Sequence, residues 1–253
     1  SSDLTYSDYQ FDSPAERIFE LYRNSGVTPI RGRPDIAFAE GCLWGGTTEI
    51  NGGVFWRTPN PVLKHWKKNL KNTLYEEDLI PHFLKHEKLL NVTSNHRVNA
   101  NENNSSKKLI DSSLRLGWNI VSAPRVVIDC KNSNQCGAGC PTGAKQSMSV
   151  SYLPMAISKG LIALTSCKAS SVKRNNTGAF TVSAIDKSSN NVIEINCKKI
   201  ILSCGALQTP NFIYKNKLLP QSHFNLAFHI NLKVAALFPE SINSNNETIF
   251  THQ

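Results

Sequence analysis

Trp44-Gly45-Gly46-Thr47-Thr48-Glu49-Ile50-Asn51-Gly52-Gly53 places four of the chain's 14 glycines within ten residues. Glycines without side chains let a backbone approach a flat or charged ligand closely. The two Thr hydroxyls and the Asn51 amide add directed hydrogen bonds. A turn that is rich in glycine for conformational reasons alone would look the same. The rest of the chain has to separate these readings.

The chain has 253 residues, enough for one large domain or two small ones with a substantial core. Hydrophobic residues make up 40% and charged residues 19%, which argues against wholesale disorder. There are 28 Lys+Arg against 19 Asp+Glu, a net charge of +9. That charge is diffuse. Lys64, Lys67, Lys68, Lys71, Lys85 and Lys88 read as a solvated face, because a nucleic-acid surface would combine clustered Arg with aromatics or a known module. No apolar run reaches the ~18–20 residues of a membrane-spanning helix. The seven cysteines, an odd number unevenly spaced, read as reduced thiols and favour a cytoplasmic setting over a disulfide framework. The polar start Ser1-Ser2-Asp3, without Met, and the stop at Thr251-His252-Gln253 lead us to expect an internal piece of a longer protein.

Helix signals dominate the first half. Ser13-Pro14-Ala15-Glu16 reads as a capped helix start, running to about Asn24 with Gly26 as its stop. Further helices are expected from Pro61 to Lys71, Glu76 to Leu90 and Lys107 to Leu116. Pro124–Asp129 is strand-like, and Ser147–Lys159 is helical, ending at Gly160. Short β-rich runs then follow at Leu161–Thr165, Ala169–Lys173, Phe180–Asp186 and Val192–Asn196. Lys199-Ile200-Ile201-Leu202-Ser203-Cys204 has the composition of a buried parallel strand. Together these predict a mixed α/β (α+β) architecture without regular βαβα alternation.

Four segments, in order, resemble the glucose–methanol–choline (GMC) oxidoreductases. The glycine-rich run followed by Arg57-Thr58-Pro59 is similar to that family's flavin-facing loop. Asn134-Gln135-Cys136-Gly137-Ala138-Gly139-Cys140-Pro141-Thr142-Gly143-Ala144-Lys145-Gln146-Ser147 resembles a Cys-Gly-x-Gly-Cys segment of the branch that includes long-chain alcohol oxidases and bacterial alcohol dehydrogenases. Lys199–Pro210 resembles the second signature of the family, and His229-Ile230-Asn231-Leu232-Lys233 its His-Pro-Asn-Leu-Lys run. Two departures stand out: Phe212–Lys217 replaces the usual continuation of the second signature, and Ile230 replaces a Pro. The resemblance implies residues 14–230 as the central part of an FAD-binding region and 231–253 as the start of a substrate-binding domain.

It further implies FAD as cofactor, an alcohol as small-molecule substrate, and hydride transfer from the alcohol carbon to flavin N5. By position, Gly45, Gly46 and Thr47 would lie along the flavin and its ribityl–phosphate side. Asn51, Gly52 and Val54 would touch the isoalloxazine edge, Ala169 the adenine, and Gly205 the cofactor at a strand end. Some members attach FAD through a His where this chain has Ile50, so non-covalent FAD is expected. No Gly-x-Gly-x-x-Gly fingerprint occurs, and none of His65, His82, His86, His96, His223, His229 and His252 stands in the context of the family's catalytic base. No catalytic residue is therefore assigned, and the chain alone is expected to be inactive. A non-catalytic binding module that kept part of the fold is the alternative. Cys136 and Cys140 could be metal ligands or a redox pair. Without further ligands in view, buried thiols in a turn are favoured and no metal is expected. His82 and His86, four apart on a helix, are read in the same way as a solvent-facing pair.

Overall fold

The computed structural model describes residues 13–26, 28–69, 76–94, 104–176, 178–219, 225–227, 236–240 and 242. The chain divides into two compact units. One comprises the residues up to Ala163 with those from Phe238 onward, and the other comprises Leu164–Leu237. The expected boundary at 230/231 lies outside the described residues.

In the first unit, α1 (Pro14–Leu21) begins as its sequence dictates. Ser13 is extended, its Oγ accepts from the Glu16 N–H at 3.2 Å, and Pro14 follows where no intrahelical N–H is needed. The helix ends at Leu21, earlier than Asn24, because Asn24 and Ser25 take left-handed backbone angles in a tight 3-10 turn over Arg23–Gly26. Leu21 is fully buried. A short hairpin follows, β1 (Thr28–Ile30) against β2 (Ile36–Phe38). The helical signals reappear as α2 (Asn60–Asn69), α3 (Glu76–Leu89) and α4 (Asn104–Arg115). Lys64, Lys67, Lys68, Lys85 and Lys88 are exposed, as a solvated face requires, and Lys71 lies outside the described residues.

A small ladder sits at the centre of this unit. β3 (Val92–Thr93) pairs antiparallel with β4 (Arg125–Val126). Val54 bridges to Arg125 and Val127 to Lys145. Backbone hydrogen bonds extend it: Phe55 N–H donates to the Pro124 carbonyl at 2.8 Å, Val126 N–H to Gly53 at 2.9 Å, and Gln146 N–H to Val126 at 2.9 Å. The strand expected over 124–129 is thus only two residues long, yet it joins the glycine-rich segment to the segment after Cys140. The helix expected over 147–159 contracts to α5 (Tyr152–Ile157).

The second unit holds an antiparallel meander, β5 (Cys167–Arg174), β6 (Phe180–Asp186) and β7 (Val192–Cys197), close to the runs expected from alternation. A bulge interrupts β5 between Ala169 and Ser171. Ala184 and Val172 are buried on this sheet. α6 (Gly205–Lys215) is tied to it through Asn216, whose Oδ1 accepts from the Val172 N–H at 3.0 Å.

Two expected strands are absent. Leu161–Thr165 and Lys199–Cys204 form no ladder, and Ile162 and Ile201 are 85% and 89% exposed. Composition alone cannot make a strand. A buried parallel strand needs neighbours on both edges, and among the described residues nothing pairs with either run. Residues 199–203 instead lead directly into α6, and the Leu161 N–H closes the end of α5 on the Ala156 carbonyl.

The fully buried Leu21 gives a direct test of this packing. Leu21→Ala is expected to lower stability by about 3 kcal/mol, read as a shift of the urea midpoint with an unchanged slope.

Candidate functional site

The glycine-rich segment folds as a 3-10 turn over Gly46–Glu49, entered through two left-handed glycines. Gly45 has φ 85° and Gly46 φ 60°, a region that costs residues bearing a Cβ about 1–2 kcal/mol. Their surroundings differ. A Cβ on Gly45 would overlap the Glu49 carboxylate, whereas a Cβ on Gly46 would meet no heavy atom within 4 Å. The Cα of Gly46 therefore faces open space on its side-chain side, while its N–H is held by the Leu43 carbonyl at 2.9 Å. Thr47 and Asn51 are exposed, and Gly52 and Val54 are half-buried.

The turn is held from inside. The Thr47 Oγ1 accepts from the Gly41 N–H at 3.2 Å, and the Thr48 hydroxyl donates to the Gly45 carbonyl at 2.6 Å. The Asn51 Oδ1 accepts from the Gly53 N–H at 3.0 Å. Residues after the Cys-rich segment add struts: Met148 N–H donates to the Thr48 Oγ1 at 3.0 Å and Ser149 N–H to the Glu49 Oε1 at 3.3 Å.

Beneath the turn lie three charged side chains that the sequence reading gave no role. Glu49, Arg125 and Lys145 are 3%, 1% and 2% exposed. The Lys145 ammonium donates to three backbone carbonyls, those of Glu49 (2.7 Å), Asn51 (2.7 Å) and Cys136 (2.8 Å). Burial pushes Lys145 down to about 8, partly opposed by the charges of Cys136, Glu49 and Cys140. Arg125 Nη2 donates to the Cys136 Sγ at 3.1 Å. The signal was present in the sequence: Arg125 stands directly before the apolar run Val126-Val127-Ile128, and Lys145 closes Gly143-Ala144-Lys145. A buried charge needs its partners in three dimensions before it means anything.

Cys136 is buried in a short 3-10 turn, and Tyr22 OH donates to the neighbouring Gly137 carbonyl. Cys140 is half-buried. Burial would raise its thiol pKa, but hydrogen bonds from the Thr142 side chain and from the backbone N–H groups of Lys145, Thr142 and Ala144 bring it below the ordinary value. All seven cysteines are free thiols. Among the described residues, no three His, Cys, Asp or Glu are placed to hold a metal.

The pair His82 and His86 departs from expectation. His82 is exposed, but His86 is half-buried, and its Nδ1 is hydrogen-bonded to Tyr152 OH on α5. α3 is thereby pinned to α5, which a solvent-facing pair would not do. Arg57, next to the glycine-rich segment, binds Glu87 on the same helix through two contacts of 2.6 and 2.7 Å. His229 lies outside the described residues.

Gly45, Gly46, Thr47, Asn51, Gly52 and Val54 thus share one loop in the first unit. Ala169 and Gly205 belong to the second unit, Ala169 beside the β5 bulge and Gly205 with φ 85° at the start of α6.

Comparison with known proteins accounts for these motifs together. The GMC oxidoreductase family matches residues 18–231, and the chain belongs to that family. The matched region is the family's FAD-binding domain. The chain is 27% identical over 243 residues to an uncharacterised GMC-type oxidoreductase of Sinorhizobium fredii, covering 93% of this chain and 47% of the relative. It is 26% identical over 241 residues to a GMC-type oxidoreductase of Mycobacterium tuberculosis, covering 94% and 38%. It is 25% identical over 244 residues to a long-chain-alcohol oxidase of Arabidopsis thaliana, covering 88% and 31%. The chain thus spans half or less of the length of these curated relatives. No described helix is long and apolar enough to cross a membrane.

The contrast between the two glycines is testable. Gly46→Ala is expected to lose about 1–2 kcal/mol of stability from backbone strain alone. Gly45→Ala should lose a further ~1–3 kcal/mol, because it displaces the buried Glu49 carboxylate from the Ser149 N–H. Equilibrium denaturation of the two variants checks the order.

Proposed function

We propose that the protein is an FAD-dependent oxidoreductase acting on the CH–OH group of an alcohol, with the Gly45–Val54 loop as its flavin-facing wall. The observation that carries this reading is Gly46. Its φ is left-handed and the space a Cβ would take is empty, on a turn braced from within by Thr47, Thr48, Glu49 and Lys145. Such a wall fits a flat, extended ligand and resists collapse into the space the ligand would take.

FAD, when bound, would accept the hydride of the alcohol carbon. The chain's own residues have quieter tasks. Gly45, Gly46 and Thr47 would line the flavin and its ribityl–phosphate side. Asn51, Gly52 and Val54 would border the ring. Ala169 and Gly205 would serve the adenine end and the remaining cofactor contact. Ile50, 7% exposed, supports dissociable rather than covalent FAD, since it offers no ring nitrogen for attachment. The similarity to long-chain-alcohol oxidases favours an apolar, long-chain alcohol over a sugar.

Full-length protein purified with bound flavin should oxidise dodecanol faster than glucose, assayed with oxygen and with an artificial electron acceptor in parallel. Turnover of neither class would count against the reading. Gly46→Val and Asn51→Ala should each reduce the flavin retained after gel filtration, Gly46→Val more severely because its side chain enters the open space. Unchanged retention in both would remove this loop from the cofactor site.

A further inference from the structure

We propose that Lys145 is a positioning residue for the flavin-facing loop, its buried ammonium fixing through three carbonyls where the Gly46–Gly52 backbone meets the cofactor. This rests on the FAD reading above and goes one layer beneath it.

The geometry leaves Lys145 no other task. All three ammonium protons are donated to backbone oxygens, so none is available for a substrate or a reacting group. Two of those oxygens, of Glu49 and Asn51, flank Ile50 at the far end of the turn from Gly46. The third, of Cys136, belongs to the Cys-rich segment. One cation therefore ties two pieces of chain that are more than eighty residues apart in sequence. The side chain reaches the carbonyls past Gly53, where an added Cβ would sit 3.3 Å from the Lys145 Cδ. The neighbouring N–H groups of Met148 and Ser149 hold the same turn at Thr48 and Glu49. Segment 145–149 is in effect the foundation of the loop, and Lys145 is its one cationic member.

Charge makes this post adjustable. The titratable groups that act on the ammonium are Glu49, Cys136, Cys140 and Arg125. Glu49 and the two cysteines favour the protonated form, whereas Arg125 and burial disfavour it. Losing the proton removes one of three donors and leaves a buried carbonyl without its partner. The direction follows: the loop is held most firmly below about pH 8 and loosens above it. FAD affinity should fall in the same direction.

The experiment uses full-length protein stripped of flavin and titrated with FAD by fluorescence between pH 6.5 and 9.5. Far-UV circular dichroism is recorded at each point to show that the fold is intact. The wild-type Kd should rise by about tenfold across a midpoint near 8. Lys145→Met should bind FAD about tenfold more weakly at pH 7, with a flat profile and an altered visible circular dichroism of the bound flavin. Lys145→Arg keeps a cation that does not titrate in this range, so its profile should lack the step near 8. A folded Lys145→Met whose affinity stays within about twofold of wild type, with unchanged flavin dichroism, would overturn the proposal. Should Lys145→Met not fold, a step that persists in Lys145→Arg, or is absent from the wild type, overturns it equally. Wild-type protein that binds no FAD at any pH would instead sink the underlying cofactor reading, a result distinct from either.

Discussion

A lysine ammonium buried to 2% exposure and surrounded by three carbonyl oxygens sets the terms for the first unit. Burying a cation is costly unless every donor finds an acceptor. The chain meets that demand with backbone rather than with a carboxylate. Side-chain acceptors can swing away, but carbonyls cannot move without the main chain. The polypeptide at Glu49, Asn51 and Cys136 is consequently held in place by the same contacts that make the charge tolerable. Arg125, buried beside it and donating to Cys136, extends the arrangement to the short β4 strand. Positive-φ glycines at the top of the loop and paired cations at its base are two sides of one construction.

The second unit works by different means. Its meander is held by ladder hydrogen bonds and a modest apolar face, with Val172 and Ala184 as its buried members. The bulge at Ala169–Ser171 breaks the register where the family resemblance puts a backbone contact to adenine. A bulge leaves its extra residue out of the ladder and bends the strand. Asn216, just after α6, supplies the acceptor for the Val172 N–H on the outer edge of β5.

Local signals carried much of this structure in the sequence, and long-range pairing carried the remainder. Ser13-Pro14 announced α1 because capping needs only a few neighbouring residues. The β5–β7 meander was legible because antiparallel hairpins close through short turns. The runs at 161–165 and 199–204 misled, since their composition describes the inside of a sheet and says nothing about whether the sheet's other strands lie alongside. The cluster Glu49–Arg125–Lys145 stayed hidden for a related reason. Its members are separated by 76 and 20 residues, and their burial depends on how three segments converge. The glycine-rich loop was readable as a motif, but only its surroundings distinguish Gly45, which is crowded by Glu49, from Gly46, which is open.

Ile201 is almost wholly exposed, and among the described residues no strand pairs with its run. Such a segment is a ready template for pairing with any other extended chain.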